Sequence, residues 1–285
     1  MKQNRMRKFI AIVFVVTAIV SNDVILADDD VRISAAERDR HGFRIHTVHS
    51  PHQAGPTQIR VLLPDELAPQ RTYPVIYVLP VEAKNGTRYG DGLLEVQRQN
   101  LHNKHDVIFV APTFSALPWY ADHPTDNEVR QESYFLMEVI QFVERTYPVS
   151  KTAKDRLLLG FSKSGWGAWS LLLRHPDTFG RAVAWDAPLM MTQVGRYGNG
   201  PIFATQENFE TYRIDRLLRR FGQKLGDKQR LILTGYDNFR THHQQAHLLL
   251  DELQIPHVYR DGPARKHDWH SGWVSEAVML LLRES

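Results

Sequence analysis

The chain alternates short runs rich in β-branched and aromatic residues with longer segments of helical period. The eight runs that we expect to form strands are Phe43–Val48, Gln58–Leu63, Val75–Leu79, Val107–Ala111, Leu157–Gly160, Ala182–Trp185, Leu231–Leu233 and His257–Tyr259. From the third run onward they alternate with the helical-period segments Glu132–Tyr147, Gly165–Arg174, Phe209–Phe221, Thr241–Leu253 and Ser271–Leu282. Such alternation is typical of an α/β fold. We therefore expect an eight-stranded, mostly parallel sheet flanked by helices on both faces.

The first two strands are an exception to this alternation. Only Ser50–Pro56 separates them, which is too short for a crossover helix. We therefore expect them to pair as an antiparallel hairpin.

The N-terminus has the pattern of a secretory signal peptide. A basic leader precedes the apolar run Phe9–Val20, which is shorter than the roughly 20 residues needed to span a bilayer. Ala27 then provides a small-residue cleavage site. We expect residues 1–27 to be removed, leaving a single domain over residues 28–285 with no stable membrane span. This predicts a secreted or periplasmic protein, with an uncleaved N-terminal anchor as the alternative.

Charge and cysteine content narrow the chemistry. The formal charge of +3 derives from the leader, since the rest of the chain is formally neutral and shows no clustered basic face. We therefore expect no nucleic-acid partner. The chain has no cysteine, which excludes disulfides, thiolate metal sites and cysteine nucleophiles. Serine, histidine and carboxylates remain as the candidate catalytic groups, and we expect neither a cofactor nor a metal.

Ser162 is the candidate nucleophile because it lies between a buried strand and a helix. A nucleophile elbow holds its serine in a strained backbone conformation, so the residues two positions before and after must be small. Here they are Gly160 and Ser164, the second of which departs from the usual glycine. The helix that follows would direct the Lys163 amide at an oxyanion. The simpler alternative is that Ser162 or Ser164 only caps this helix.

A serine nucleophile also needs a histidine base, oriented in turn by a carboxylate. His267 lies in the loop after the last strand, and His270 is a second candidate in the same loop. Asp237 follows the penultimate strand and gives the chain order serine, aspartate, histidine. Asp186, at the end of the neighbouring strand, is the competing acid. We expect Asp237 to be the acid of the triad.

Three further histidines have spacing that suggests a zinc site. His242, His243 and His247 lie in a segment of helical period, but no glutamate or other carboxylate accompanies them as in the H-E-x-x-H motif. We therefore expect them to be solvated histidines on a helix.

The chain as a whole resembles the putative esterase family of the α/β-hydrolase superfamily. That family includes esterase D-like enzymes, feruloyl esterase-like domains and mycolyltransferases. The resemblance extends from about Phe43 to Leu282 and rests on Tyr73–Leu79, Pro118–Asp122, the elbow around Ser162, and His267-Asp268-Trp269 with Trp273. It implies the α/β-hydrolase fold, with Ser162 as nucleophile, His267 as base and Asp237 as acid.

The chain departs from this family at Pro80-Val81, where the family commonly has His-Gly or Asp-Gly. Because proline lacks an N–H, the second oxyanion donor would be the amide of Glu82, or that of Val81. Together with the predicted signal peptide, the resemblance implies a secreted serine hydrolase that cleaves carboxylic esters through an acyl-enzyme. The alternatives are an acyltransferase with the same triad and a catalytically silent binding protein.

Aromatic residues near these motifs suggest a substrate cleft. We expect Trp119, Tyr120 and Trp269 to bind the substrate, a small-molecule or carbohydrate-linked ester. Core packing is the other explanation for tryptophans in these segments.

Overall fold

A computed structural model describes residues 24–25 and 30–283 of the 285-residue chain. The strands are β1 (Val24–Ile25), β2 (Arg32–Ile33), β3 (Glu37–Arg38), β4 (Arg44–His49), β5 (Thr57–Leu62), β6 (Val75–Val78), β7 (Ile108–Pro112), β8 (Arg156–Phe161), β9 (Arg181–Trp185), β10 (Leu231–Tyr236) and β11 (His257–Ala264). The helices are α1 (Gly92–Arg98), α2 (Leu101–Lys104), α3 (Gln131–Ser133), α4 (Ile140–Thr146), α5 (Ser162–Arg174), α6 (Gly200–Phe203), α7 (Gln206–Glu210), α8 (Ile214–Phe221), α9 (Arg240–Glu252) and α10 (Val274–Leu282). The predicted signal peptide is, apart from β1, outside the described residues.

One sheet contains all of these strands, in the order β1-β2-β4-β5-β7-β6-β8-β9-β10-β11, with β3 paired to β4. The eight predicted strands correspond to β4 through β11. The predicted hairpin is confirmed, since β4 and β5 pair antiparallel with His46 opposite Ile59. In the part of the sheet ordered β7-β6-β8-β9-β10-β11, each strand is parallel to its neighbours within that part. The mostly parallel sheet is therefore confirmed, and three two-residue strands extend it at the N-terminal edge.

Helices cover both faces of the sheet, because the central strands are buried on both sides. In β8, Leu158 packs in a core with α4, α5, α8 and α9, whereas its neighbours Leu157 and Leu159 pack in a second core with α1 and α10. All residues of β6, β7, β8 and β9 are buried. Continuous apolar runs are expected of strands buried on both faces.

Two of the predicted helices are divided in the structure. The segment predicted as one helix from Glu132 contains a π-helical stretch, Tyr134–Val139, between α3 and α4. The segment from Phe209 is divided between α7 and α8. Among the described residues, no helix combines the length and apolar character needed to cross a membrane.

Candidate active site

The turn between β8 and α5 places Ser162 in a left-handed backbone conformation, with φ of 53°. A non-glycine residue in this region is strained, and such strain is expected of the serine in a nucleophile elbow. Gly160 makes the turn feasible, because a Cβ at that position would overlap the carbonyl oxygen of Ser164. The small residue expected two positions before the serine is thus required by backbone packing.

Ser164 occupies the position where the family usually has glycine, and its side chain is turned into the elbow. Its Oγ accepts a hydrogen bond from the Phe161 amide at 3.0 Å and donates one to the Phe161 carbonyl at 2.9 Å. The residue has no solvent exposure. Its hydroxyl therefore stabilises the turn, whereas Ser162 lines an adjacent cavity.

The imidazole of His267 is paired with Asp186. The Nδ1 of His267 lies 2.6 Å from Oδ2 of Asp186. The side chain of Asp186 has no solvent exposure, and that of His267 is 14% exposed. A buried carboxylate at this distance favours the tautomer in which Nδ1 carries the proton and Nε2 is free to act as a base.

The structure does not bring the predicted acid, Asp237, to this ring. Asp237 is exposed, and its Oδ2 accepts a hydrogen bond of 2.8 Å from the backbone amide of His267. Both aspartates follow neighbouring parallel strands, β9 and β10, so both reach the His267 loop. Asp186 contacts the ring because it is the one turned into the interior. We therefore replace Asp237 by Asp186 in the proposed triad.

Further hydrogen bonds fix the Asp186 carboxylate. Its oxygens accept the amides of Asn238, at 3.1 Å, and of Phe239, at 2.7 Å. Burial alone would raise the pKa of Asp186, but the hydrogen bonds from His267 and from these amides outweigh it and lower the pKa below 3.8. The carboxylate is therefore ionised at neutral pH, as orientation and stabilisation of an imidazolium require.

Helix α9 supports the segment after Asp186 through two histidines. His243 Nε2 accepts the Ala187 amide at 2.8 Å, and His242 Nδ1 accepts the Met190 amide at 3.0 Å. His243 is only 2% exposed. The expectation that these were solvated histidines was wrong for His243 and incomplete for His242, which is also partly buried. A helical pattern locates a face but does not show what packs against it.

Ser162 and His267 line the same cavity, which has a volume of about 400 Å³. Its other lining residues are Glu82, Arg88, Tyr89, Leu117, Lys163, Pro188, Tyr197, Asn238 and Phe239. The three charged side chains among them, Glu82, Arg88 and Lys163, carry a net charge of one positive. Burial lowers the pKa of Lys163 from 10.5, with Glu82 opposing and Arg88 reinforcing that shift.

Both predicted oxyanion donors lie at this cavity. The amide of Lys163 belongs to the first turn of α5, where backbone N–H groups have no partner within the helix. Glu82 lies in the loop after β6, which also contains Pro80. The Pro80 carbonyl accepts a 2.6 Å hydrogen bond from the hydroxyl of Tyr120. Tyr120 thus fixes the loop that places Glu82.

The aromatic residues predicted to bind substrate lie elsewhere. Trp119 and Tyr120 are fully buried core residues, Trp119 packing on Trp166 and Tyr120 on the backbone of Gly167. Trp269 is 2% exposed and lines a separate cavity of about 290 Å³. The structure therefore does not bring the three predicted side chains to the Ser162 cavity. The aromatic residues that line this cavity are Tyr89, Tyr197 and Phe239.

The alternative base, His270, has a structural contact. Its Nδ1 lies 2.6 Å from Oε2 of Glu95 in α1, and its Nε2 accepts the Asp91 amide at 3.3 Å. Both ring nitrogens are thereby occupied away from Ser162. His267 is the histidine placed at the cavity.

The sequence also matches a known protein family. The model of the family described as "Putative esterase" matches residues 50–223. No curated protein matches the sequence.

Solved structures similar to the chain have low sequence identity and extensive coverage. An S-formylglutathione hydrolase from Staphylococcus aureus is 19% identical with a TM-score of 0.67, and the superposition covers 85% of this chain and 98% of the hydrolase chain. An S-formylglutathione hydrolase from Agrobacterium tumefaciens is 14% identical with a TM-score of 0.66, covering 87% and 98%. A CE1 ferulic acid esterase from Anaeromyces mucronatus is 17% identical with a TM-score of 0.59, covering 84% and 89%. These likenesses confirm the predicted α/β-hydrolase fold.

Proposed function

Because the chain belongs to the Putative esterase family, we propose that it hydrolyses carboxylic esters through an acyl-enzyme formed on Ser162. The family resemblance drawn from the sequence, and with it the class of carboxylic-ester hydrolase, is confirmed by this membership. The observation that carries the serine mechanism is the pairing of the His267 ring with the buried Asp186 at the cavity that contains Ser162.

In the proposed first half of the reaction, His267 Nε2 takes the proton of the Ser162 hydroxyl as Oγ attacks the ester carbonyl. Asp186 holds the Nδ1 proton of the ring and stabilises the imidazolium. The Lys163 and Glu82 amides donate to the oxyanion. Collapse of the tetrahedral intermediate breaks the ester bond, and the imidazolium returns its proton to the departing alkoxide, which leaves as the alcohol.

In the second half, a water molecule takes the place of the alcohol. His267 accepts a proton from this water as its oxygen attacks the acyl carbonyl, and the second tetrahedral intermediate is stabilised by the same amides. Its collapse releases the carboxylic acid and returns the proton to Ser162 Oγ. Acyl transfer, the alternative raised by the sequence, differs only in using an alcohol acceptor at this step.

The charge of the cavity supports a preference among esters. Lys163 is adjacent to the nucleophile, Arg88 lies on the same cavity, and Glu82 neutralises only one of the two positive charges. Because Asp186 is paired with His267, Lys163 and Arg88 are the cations available to an incoming ester, and a cation next to the nucleophile favours an acyl group that bears its own negative charge. We therefore include, as part of the proposed function, a preference for esters with an anionic substituent.

We also propose that the protein acts outside the cytoplasm. This rests on the leader over residues 1–27, with its basic start, short apolar run and Ala27 cleavage site. N-terminal sequencing of the protein recovered from the periplasm or the medium should give Asp28 as the first residue. Recovery of the intact leader in a membrane fraction would instead support the anchored alternative.

Labelling with a fluorophosphonate probe tests the serine mechanism. Wild-type protein should be labelled at Ser162 and should release a burst of p-nitrophenol from p-nitrophenyl acetate. Ser162→Ala should abolish both signals. The matched variant Ser164→Ala removes the neighbouring hydroxyl and should retain labelling at a reduced rate, because it loosens the turn. A folded wild-type protein that is neither labelled nor active would contradict the proposal and favour a silent binding protein.

A further inference from the structure

We propose that His247, Asp251 and His257 form a binding site for a divalent transition-metal ion, of which Zn²⁺ is the probe to test. The three side chains each offer a ligand atom, and these atoms all lie within 4.8 Å of one another. The site is on the outer side of α9 and β11. It is independent of the esterase mechanism and departs from the expectation of no metal.

The backbone brings these residues together from two elements. His247 and Asp251 are four residues apart on α9, so their side chains share one face of the helix. His257 is the first residue of β11, which the chain reaches shortly after α9 ends. The Nδ1 of His247 lies 2.8 Å from Nε2 of His257, and Oδ2 of Asp251 lies 3.5 Å from Nε2 of His247. Oδ1 of Asp251 lies 3.9 Å from Nε2 of His257.

The separations are close to those of a tetrahedral zinc site. With zinc–ligand bonds of about 2.0 to 2.2 Å, neighbouring ligand atoms lie roughly 3.3 Å apart. The carboxylate oxygens of Asp251 lie 3.5 Å from Nε2 of His247 and 3.9 Å from Nε2 of His257, whereas the 2.8 Å contact between the rings involves the other nitrogen of His247, Nδ1. Binding would therefore require His247 and Asp251 to turn so that one nitrogen of His247 faces both partners, and their side chains are 30% and 58% exposed.

The ring of His257 is already oriented as a metal ligand. Its Nδ1 donates a 2.8 Å hydrogen bond to the carbonyl oxygen of Ile255, which fixes the tautomer and leaves the Nε2 lone pair directed at His247. Its side chain is only 7% exposed. A hydrogen bond from the second ring nitrogen to a carbonyl is the usual support of a histidine that binds a metal.

The ring of His247 is held by stacking. It lies on the ring of Tyr259 with centroids 4.2 Å apart and planes inclined by 25°. In the metal-free protein its Nδ1–H donates to His257 Nε2. A metal on Nε2 of His257 displaces that hydrogen bond, and the neutral His247 ring then supplies a lone pair directly, or from Nδ1 after the proton moves to Nε2. No net proton is released.

The donor set selects the kind of ion. Two imidazoles and one carboxylate suit zinc and neighbouring first-row ions, whereas calcium and magnesium prefer sets made of oxygen. The exposure of Asp251 leaves the fourth position open to water. An ion bound here would connect α9 to β11, and β11 leads into the loop that contains His267.

Calorimetric titration of the full-length, tag-free protein with ZnCl₂ tests the site. We expect one Zn²⁺ per chain and a higher melting temperature with zinc than with chelator. His257→Asn should weaken zinc binding by at least 10-fold, as expected for loss of a ligand, while His49→Asn, which changes an exposed histidine on β4, should bind like the wild type. CaCl₂ should give no heat of specific binding.

A second ligand variant distinguishes loss of a metal ligand from loss of the folded structure. His247→Asn changes the more exposed ring and should lower zinc affinity to the same extent without changing the circular dichroism spectrum. Wild-type protein that does not bind zinc at about 1 mM, or equal affinities in the wild type and both ligand variants, would overturn the proposal.

Discussion

The Oδ2 atom of Asp186 contacts the Nδ1 atom of His267 at 2.6 Å across 81 residues of sequence, and this carboxylate is fully buried. Asp186→Asn keeps the shape of the side chain but removes the charge that fixes the Nδ1–H tautomer. We expect kcat for p-nitrophenyl acetate to fall by about 10³- to 10⁴-fold, the scale of the same change in other triads.

Asp237→Asn is the matched control for this prediction. Asp237 is exposed, and it accepts hydrogen bonds from the backbone amide of His267 and the side-chain amide of Asn238 rather than from the His267 ring, so its loss should reduce kcat by less than about 10-fold. Thermal unfolding of both variants would show that each is folded at the assay temperature. A larger loss in Asp237→Asn than in Asp186→Asn would return the role of the acid to Asp237.

Gly160→Ala should disrupt the elbow. The added Cβ would overlap the Ser164 carbonyl oxygen, which is backbone and cannot rotate away. We expect a loss of roughly 1 to 3 kcal/mol in the free energy of unfolding, measured by denaturant titration, together with loss of fluorophosphonate labelling. Gly55→Ala, where no atom lies within 4 Å of the added Cβ, should change stability by less than about 0.5 kcal/mol.

Lys163→Met should change selectivity more than basal activity. We expect kcat/KM for a hemisuccinate ester to fall roughly 5-fold relative to that for the neutral butyrate ester, because one unit charge near the acyl group is removed. Lys84→Met, at an exposed position that lines the neighbouring cavity, should leave this ratio unchanged. A ratio that is equal in all three proteins would argue against charge selection while leaving the esterase mechanism intact.

The selectivity should also depend on pH. Burial lowers the pKa of Lys163, so its ammonium group loses its charge at a lower pH than an exposed lysine does. The preference for the anionic ester should therefore decrease as the pH rises through the alkaline range. In Lys163→Met, the ratio of the two rates should be insensitive to pH across the same range.

His243 should make stability depend on pH in the acid range. Burial lowers its pKa to about 4, with the charge of Asp186 opposing this shift only in part. Between pH 4 and pH 6.5 the unfolded chain, with a histidine pKa near 6.5, binds more protons at this residue than the folded chain does. The contribution of neutral His243 to the free energy of unfolding is therefore complete above about pH 6.5 and decreases as the pH drops towards 4. The total contribution is roughly 3 kcal/mol.

His243→Gln tests this because it preserves an acceptor for the Ala187 amide without a titrating ring. The decrease in the free energy of unfolding between pH 6.5 and 4, measured by urea titration, should be smaller in this variant than in the wild type. His49→Gln, at an exposed histidine, should retain the wild-type dependence. Parallel curves for all three proteins would contradict the assignment.

The central strands β6 to β9 could be predicted from sequence because they are buried on both faces and therefore form continuous apolar runs. The division of the helix at Tyr134–Val139 could not, since an apolar period does not reveal a change from α- to π-type hydrogen bonding. The same limit applies to His243. Its place on a helix could be predicted, but its burial depends on the segment after Asp186, which is distant in sequence.

The strained turn at Ser162 could be predicted because the elbow is a local feature, determined by Gly160, Ser162 and the helix behind them. The carboxylate that pairs with the His267 ring could not, because Asp186 and Asp237 both follow strands at the same edge of the sheet. Only the three-dimensional arrangement shows which carboxylate points inward at the ring. Trp119 and Tyr120 were misassigned for a related reason, since proximity to a motif does not distinguish a cavity wall from the core behind it.

Asp237 holds the backbone of the same histidine whose ring Asp186 holds. The loop that carries His267 is therefore tied to the ends of two neighbouring parallel strands, to β9 through its ring and to β10 through its backbone. A relative displacement of these two strand ends would strain the position of this one residue.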